Sequence, residues 1–132
     1  MTQERKRIAA QIDAFYEAIS GSAERKPDLT SLAALFASGA SILPHRQEES
    51  QEALSVDEYV DRLRRALADR NFYERGIDYR IEIHGDIAQV WSRYEASEGP
   101  SFSEISKHGT NLVQLIRDEG VWKISSMLYR DD

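Results

Sequence analysis

The feature that most constrains this chain is a stretch in which two kinds of residue alternate around a two-residue turn. From Ile77 to Ile83 every second residue is Ile or Tyr, and after Gly85-Asp86 the alternation resumes and runs to Tyr94. A period of two is the period of a β-strand, and a Gly-X pair is typical of a type II′ hairpin turn. The stretch therefore predicts a β-hairpin.

The turn also sets the register of the two strands. Counting outward from it gives these opposed pairs: His84 with Ile87, Ile83 with Ala88, Ile81 with Val90, Tyr79 with Ser92, and Ile77 with Tyr94. The other face then carries these pairs: Glu82 with Gln89, Arg80 with Trp91, and Asp78 with Arg93. Such polar and cation–aromatic neighbours are favourable, and a slip of one residue would scramble both faces. We expect the Ile-rich face to meet the core and the Trp91 face to meet solvent or a second subunit.

Before the hairpin the apolar residues follow a helical period. In residues 3–20 they form one helical stripe, which consists of Ile8, Ile12, Phe15, Tyr16 and Ile19. Gly21 should end this helix. A short second helix is expected from Leu29 through Phe36, ending at Gly39, and a short strand follows over 40–44. Because Pro44 has no N–H to donate, this strand should lie at a sheet edge.

A third helix is predicted to begin at Ser55. Ser55 and Glu58 have the spacing of a capping box, in which each side chain satisfies a backbone N–H near the other residue. An apolar stripe with helical spacing follows as far as Leu67. The charged and aperiodic residues 45–53 are expected to form a loop.

Two long strands are predicted at the end of the chain, over 104–117 and 121–129, with Gly120 in the tight turn between them. Which of their faces meets the core stays open. One set is Asn111, Val113, Leu115, Met127 and Tyr129, and the other is Leu112, Gln114, Ile116, Trp122, Ile124 and Leu128. Both sets are largely apolar, which indicates a sheet covered on both faces. The order α-α-β-α-β-β-β-β predicts an α+β fold in which helices pack on one face of a curved antiparallel sheet, and a second copy is the natural cover for the other face.

Length and composition set further limits. A chain of 132 residues is long enough for one core, so we expect a single domain over 1–132. The absence of cysteine excludes a disulfide framework and a cysteine nucleophile. A net charge of −6 argues against nucleic acid as a partner, and no apolar run reaches the roughly 18 residues of a membrane span. The segment MTQERKRIAAQ lacks the apolar stretch of a secretory signal, so a cytoplasmic location is expected.

Four segments carry a resemblance to a known family. They are SVDEY at 55–59, GDIAQVWSRYE at 85–95, GTNLVQL at 109–115 and WKISS at 122–126. With them, nearly the whole chain resembles the nuclear transport factor 2-like superfamily, in particular its SnoaL-like or polyketide-cyclase-like bacterial subgroup. The resemblance implies a cystatin-like cone, in which a strongly bent sheet wraps around the first helix and leaves an apolar pocket at its open end.

The same resemblance leaves function open, because members include isomerases, dehydratases, cyclases and hydrolases of small hydrophobic molecules as well as non-catalytic binding domains. The superfamily's enzymes place an Asp–His pair or a Tyr–Asp set inside the cone. Neither set matches this chain residue by residue, so the resemblance assigns no catalytic residues here.

Residues that face the predicted cone are the candidates for chemistry. The Tyr16 hydroxyl could stabilise an oxyanion, or it could be a core hydroxyl with an internal partner. His45 follows the first strand near the expected cone mouth and is the candidate base, or else an exposed histidine. Candidate ligand-binding residues are Phe15, Phe36, Tyr59, Tyr79, Ser92, Tyr94, Asn111 and Met127. The histidines show no ligand spacing, so we expect no metal, and we expect no cofactor.

Two functions follow as hypotheses. The first is binding of a small apolar molecule in a pocket of a few hundred Å³, with cofactor-free isomerisation, dehydration or cyclisation of a carbonyl compound as the associated chemistry. The second is a non-catalytic homodimeric interaction module whose cone is filled by its own side chains. In both, a homodimer is expected through the outer sheet face, with Trp91 as its aromatic anchor.

Overall fold

The computed structural model describes residues 2–45 and 52–132. Within them the chain forms three helices and five strands. In chain order they are α1 (Gln3–Ile19), α2 (Leu29–Ala34), β1 (Phe36–Pro44), α3 (Val56–Ala66), β2 (Tyr73–His84), β3 (Ile87–Ser97), β4 (Ile105–Asp118) and β5 (Val121–Asp131). This is the predicted element order, and it matches the cystatin-like α+β class. No helix among these residues is long and apolar enough to cross a membrane.

The strands form one curved sheet in the order β1-β5-β4-β3-β2. The prediction of an antiparallel sheet is correct for β2 to β5 and wrong for β1, which runs parallel to β5. The reason is the connection through α3, which carries the chain from β1 to the far edge of the sheet. The last strand then returns beside β1 in the same direction. The edge position predicted from Pro44 is confirmed, because β1 ends the strand order.

Helix α1 packs on the inner face of this sheet. Thr2 caps its first turn by accepting from the Arg5 N–H at 3.2 Å, and the predicted stripe is buried in full. Burying each aliphatic side chain of that stripe contributes about 1.5–3 kcal/mol. Polar contacts to β5 fix the helix further, since Glu4 accepts from Trp122 Nε1 at 2.7 Å.

Helix α2 is shorter than predicted. It ends at Ala34, and Phe36 already belongs to β1, so Gly39 lies inside a strand rather than after a helix. The Ile124 N–H donates to the Leu35 carbonyl at 2.9 Å, and Phe36 lies opposite Ile124. Pairing with β5 therefore replaces further helix turns, a tertiary contact that overrides local propensity.

Helix α3 begins as predicted. Ser55 Oγ accepts from the Glu58 N–H at 3.1 Å, and Glu58 Oε1 accepts from the Ser55 N–H at 3.0 Å, so the capping box is confirmed. Most of the predicted charged loop before it, residues 46–51, lies outside the described residues.

The predicted hairpin register is confirmed from His84–Ile87 back to Asp78–Arg93. The last predicted pair is wrong, because Gly76 rather than Ile77 lies opposite Tyr94. A β-bulge places an extra residue at this point, and the Ile77 side chain is 46% exposed. The turn itself has Gly85 at a φ of 61°, as a glycine-led two-residue turn requires.

A second bulge answers the question that the sequence left open for β4 and β5. Leu115 lies opposite Ile124 while Gln114 lies opposite Ser126, so Ser125 is the extra residue. The alternation in β5 changes face there. As a result the buried side chains come from both candidate sets, and they are Asn111, Val113, Leu115, Trp122, Ile124 and Met127.

Candidate functional site

A cavity of about 150 Å³ lies between α1, α3 and the inner face of the sheet. Its apolar side is formed by Phe15, Ile19, Leu63, Leu67 and Phe72. Its polar side is formed by Tyr59, Glu74, Tyr94, Lys107, Asn111, Tyr129 and Asp131. An apolar space with a few convergent polar groups is the usual composition of a small-molecule site.

The rest of the cone is filled by aromatic side chains. The Phe15 ring lies 5.3 Å from the Tyr16 ring and 6.5 Å from the Phe36 ring, and the Tyr16 ring lies 6.3 Å from the Tyr94 ring. The expected pocket of a few hundred Å³ is therefore wrong in size, because these rings occupy the depth of the cone. A space of about 150 Å³ holds a molecule the size of benzene.

Tyr16 belongs to a buried hydrogen-bond cluster behind this cavity. Its hydroxyl lies 2.6 Å from Ser92 Oγ and accepts from Asn111 Nδ2 at 2.9 Å. Burial raises the pKa of the Tyr16 hydroxyl, so the group stays neutral. A satisfied buried cluster of this kind orients its members, and here it fixes Asn111 at the cavity wall.

Tyr94 crosses the sheet surface to reach the end of β5. Its hydroxyl donates to Asp131 Oδ1 at 2.5 Å, and Asp131 Oδ2 accepts from Lys107 Nζ at 3.3 Å. Gly109 lies opposite Tyr94, and a Cβ at that position would overlap the Tyr94 hydroxyl. The missing side chain is what lets the ring lie flat across β4.

Glu74 is the feature of this site that the sequence interpretation missed. It lies on β2 opposite the buried Ala96, and only 9% of its surface is exposed. Among residues 2–45 and 52–132 nothing donates a hydrogen bond to its carboxyl group; only its main chain is bonded, to Ser20. Burial raises the pKa of the carboxyl, Lys107 opposes the shift and Asp131 adds to it, and the resulting pKa is about 7.

The bulge at Gly76 explains why Glu74 was missed. Strict alternation counted back from Tyr79 puts Glu74 on the outer face. The extra residue between Gly76 and Asp78 reverses the faces before it, so Glu74 points the same way as Tyr79 and Ile81. A glycine inside a strand is a signal for such a bulge, and it was the one sign available in the sequence.

Tyr59 brings a hydroxyl to the same cavity from α3. Its ring packs 6.3 Å from the Phe36 ring, and its side chain is buried. In the described part of the chain the Tyr59 hydroxyl has no hydrogen-bond partner. Burial raises its pKa, so it remains a protonated donor in the presence of a ligand.

The other predicted site residues lie elsewhere. His45 lines a groove on the outer face of the sheet, whereas Tyr16 lies in the core, so the structure does not bring the predicted acid and base together. Of the predicted ligand-binding residues, Phe15, Tyr59, Tyr94 and Asn111 line the cavity. The remaining four do not line it: Phe36, Ser92 and Met127 are buried around the cone, and Tyr79 donates to Asp13.

The outer groove has a volume of about 720 Å³ and extends across the sheet from β1 to β2. Its apolar floor includes Trp91 and Leu128, which are 38% and 41% exposed. The Arg80 guanidinium lies 5.5 Å from the Trp91 ring centre, as the predicted cross-strand pairing required. Among the described side chains, no group of three or more His, Asp or Glu residues is placed to hold a metal ion.

Comparison with known proteins finds structures of the same fold but no sequence family that matches this chain. No protein-family model and no curated protein matches the sequence. A protein of unknown function with a cystatin-like fold from Nostoc punctiforme matches 100% of this chain over 93% of its own, with a TM-score of 0.80 and 13% identity. A nuclear transport factor 2-like protein of unknown function from Silicibacter pomeroyi matches over 100% of both chains, with a TM-score of 0.70 and 20% identity.

This chain has the nuclear transport factor 2-like fold. A hexachlorocyclohexane dehydrochlorinase from Novosphingobium barchaimii has it too, matching 98% of this chain over 86% of its own with a TM-score of 0.73 and 14% identity. At these identities the likeness is one of fold, so the function has to be argued from the cavity.

Proposed function

We propose that the protein binds a compact carbonyl compound in the cone cavity and transfers a proton at the carbon beside the carbonyl. Glu74 is the base and Tyr59 is the hydrogen-bond donor to the carbonyl oxygen. The observation that carries the proposal is a buried carboxyl group that accepts no hydrogen bond among the described residues, at the wall of a cavity whose other side is apolar. Among the described residues no side-chain oxygen is both fully buried and without a partner, so the Glu74 carboxyl reaches the cavity space, where a ligand can meet it.

The chemistry follows from the two side chains. The Glu74 carboxylate takes the proton from the carbon, the C–H electron pair moves into the enolate, and the Tyr59 hydroxyl donates to the enolate oxygen. The Glu74 carboxyl then either returns this proton to a conjugated carbon, which gives an isomerised product, or exchanges it with solvent and delivers a solvent proton to the same carbon, which gives an exchanged product. Both routes regenerate the base. A base with a pKa of about 7 is well matched to neutral pH.

The fold neighbours support this class of function in a general way. One of them is a hexachlorocyclohexane dehydrochlorinase, so the fold carries small-molecule chemistry in at least one protein. Placement of this chain in the SnoaL-like subgroup belongs to the same proposal, and it rests on the four segments that carry the resemblance.

The test uses cyclohexanone, a ring ketone close to the size of the cavity. Its α-hydrogens are exchanged for deuterium in D₂O, and NMR follows the loss of their signal. We expect the protein to accelerate exchange over buffer and Glu74→Gln to lower that rate at least about 100-fold. The matched control is Glu98→Gln, because Glu98 is an exposed acid outside the cavity.

Two results would contradict the proposal. The first is the absence of any acceleration by the wild-type protein. The second is a Glu74→Gln variant that exchanges as fast as the wild type. Tyr59→Phe separates the roles, since it removes the donor and leaves the base, and we expect it to slow exchange while the pH dependence of the rate stays the same.

A second function is favoured by the outer groove. We propose that a second copy of the chain covers it, because Trp91, Leu112 and Leu128 form an apolar floor there and arginine and aspartate side chains surround it. Arg93 and Asp132 form one such rim pair at 3.6 Å. If the cone cavity binds nothing, a non-catalytic homodimeric module is the function that the geometry supports next.

A further inference from the structure

The mouth of the cone cavity carries two cations that share one aromatic ring. Arg70 follows α3 and Lys107 lies on β4, and both line the cavity together with Phe72. The Arg70 guanidinium carbon lies 6.0 Å from the centre of the Phe72 ring, and Lys107 Nζ lies 5.7 Å from it. The ring therefore marks a positively charged side of the opening.

The two cations differ in how their charge is balanced. Lys107 is paired with Asp131 at 3.3 Å, and that carboxylate is held in turn by the Tyr94 hydroxyl. Arg70 has no acidic partner among the side chains of residues 2–45 and 52–132. A cation–π contact at 6.0 Å is at the outer limit for such contacts, so it leaves the guanidinium donors available.

Glu74 does not occupy the hydrogen-bond donors of Arg70. The two groups form no ion pair within residues 2–45 and 52–132, and Arg70 is exposed while Glu74 is buried. Arg70 therefore belongs to the opening of the cavity and Glu74 to its wall. A ligand that reaches from one to the other needs an anionic end and a compact apolar body.

We infer that the ligand of this cavity is a small carbonyl compound that also carries a carboxylate, which binds Arg70 at the mouth while the apolar body lies between Phe15, Leu63 and Leu67. The inference rests on the proposed cavity function and adds the chemical class of the ligand. The planar guanidinium matches a carboxylate with two parallel hydrogen bonds. A phosphate or a sulfate would meet the same donors, but neither has an apolar body to fill the side of the cavity that Phe15, Leu63 and Leu67 form.

The test compares benzoate with benzamide, which have the same shape and differ in charge. Binding to the full chain is measured by calorimetry and by NMR shifts of the Leu63 and Leu67 methyl groups. We expect benzoate to bind about tenfold more tightly than benzamide, and Arg70→Gln to abolish that preference. Arg65→Gln is the matched control, since Arg65 is an exposed arginine of α3 paired with Asp61, and it should keep the preference.

The outcomes separate this inference from the proposed function. If both compounds bind equally to the wild-type protein, or if Arg70→Gln keeps the preference for benzoate, the carboxylate inference is wrong while the cavity remains a binding site. If neither compound shifts the two leucine methyl groups, the cavity itself binds no compact ring, and both proposals fail together.

Discussion

At the scale of single residues, the carboxyl of Glu74 lies where ionisation is unfavourable. Its pKa rises from 4.5 to about 7 because burial removes the water that would solvate the charge. Between these two values the folded protein holds a proton that the unfolded chain has already released. The unfolded state therefore binds fewer protons, and the stability falls as the pH rises from 4.5 through 7.

The stability of the Glu74→Gln variant tests whether ionisation of Glu74 destabilises the fold. Glutamine is neutral at every pH, so the penalty of about 3 kcal/mol that ionised Glu74 imposes above pH 7 disappears. We expect the variant to match the wild type near pH 4 and to be more stable at pH 8, as measured by urea unfolding at several pH values. A variant that is less stable than wild type at pH 8 would show that the carboxylate is satisfied in the fold.

At the scale of elements, the contact between β3 and β4 depends on a residue of β4 that has no side chain. Gly109 leaves room for the Tyr94 ring, whose hydroxyl reaches Asp131. We expect Gly109→Ala to force the ring away and to lower the free energy of unfolding by about 1–3 kcal/mol. The control is Gly99→Ala, because a Cβ there meets nothing within 4 Å. Equal stability of the two variants would contradict this role for Gly109.

The strands also show which features of the sheet the sequence pattern could predict. Alternation around Gly85-Asp86 predicted seven cross-strand pairs correctly, because a two-residue turn permits one register. It failed at Gly76, where an extra residue reverses the faces before it. A second extra residue, Ser125, is the reason why alternation left the faces of β4 and β5 undecided. Glu74 lies beyond the first of these bulges. The period alone, extended back through Gly76, would place this residue on the wrong face.

For Tyr16, the sequence predicted the burial correctly but not the hydrogen-bond partners. The helical spacing of α1 predicted that Tyr16 is buried. It could not predict the hydrogen-bond partners of the Tyr16 hydroxyl, because Ser92 and Asn111 come from two strands and meet it only in the folded core. The size of the cavity could not be predicted for the same reason, since it depends on how four aromatic rings from three elements pack.

At the scale of the whole molecule, the outer face of the sheet predicts assembly. Trp91 is 38% exposed on an apolar floor, and covering it with a second copy would remove this surface from water. We expect the protein to sediment as a dimer at micromolar concentration and Trp91→Glu to sediment as a monomer.

The matched control for assembly is Val121→Glu. Val121 is 47% exposed at the turn between β4 and β5, and it does not line the groove. This variant should remain a dimer. A wild-type protein that sediments as a monomer, or a Trp91→Glu variant that remains a dimer, would exclude the outer groove as the contact surface.

The most direct measurement is the titration of Glu74 itself. Its carboxyl carbon is followed by ¹³C NMR between pH 3 and pH 9, and the signal is assigned by its loss in Glu74→Gln. A buried base at the cavity wall should titrate with a midpoint near 7. A midpoint near 4.5, the ordinary value for glutamate, would mean that the carboxylate is solvated or paired, and the cavity would then lack the base on which the proposed proton transfer depends.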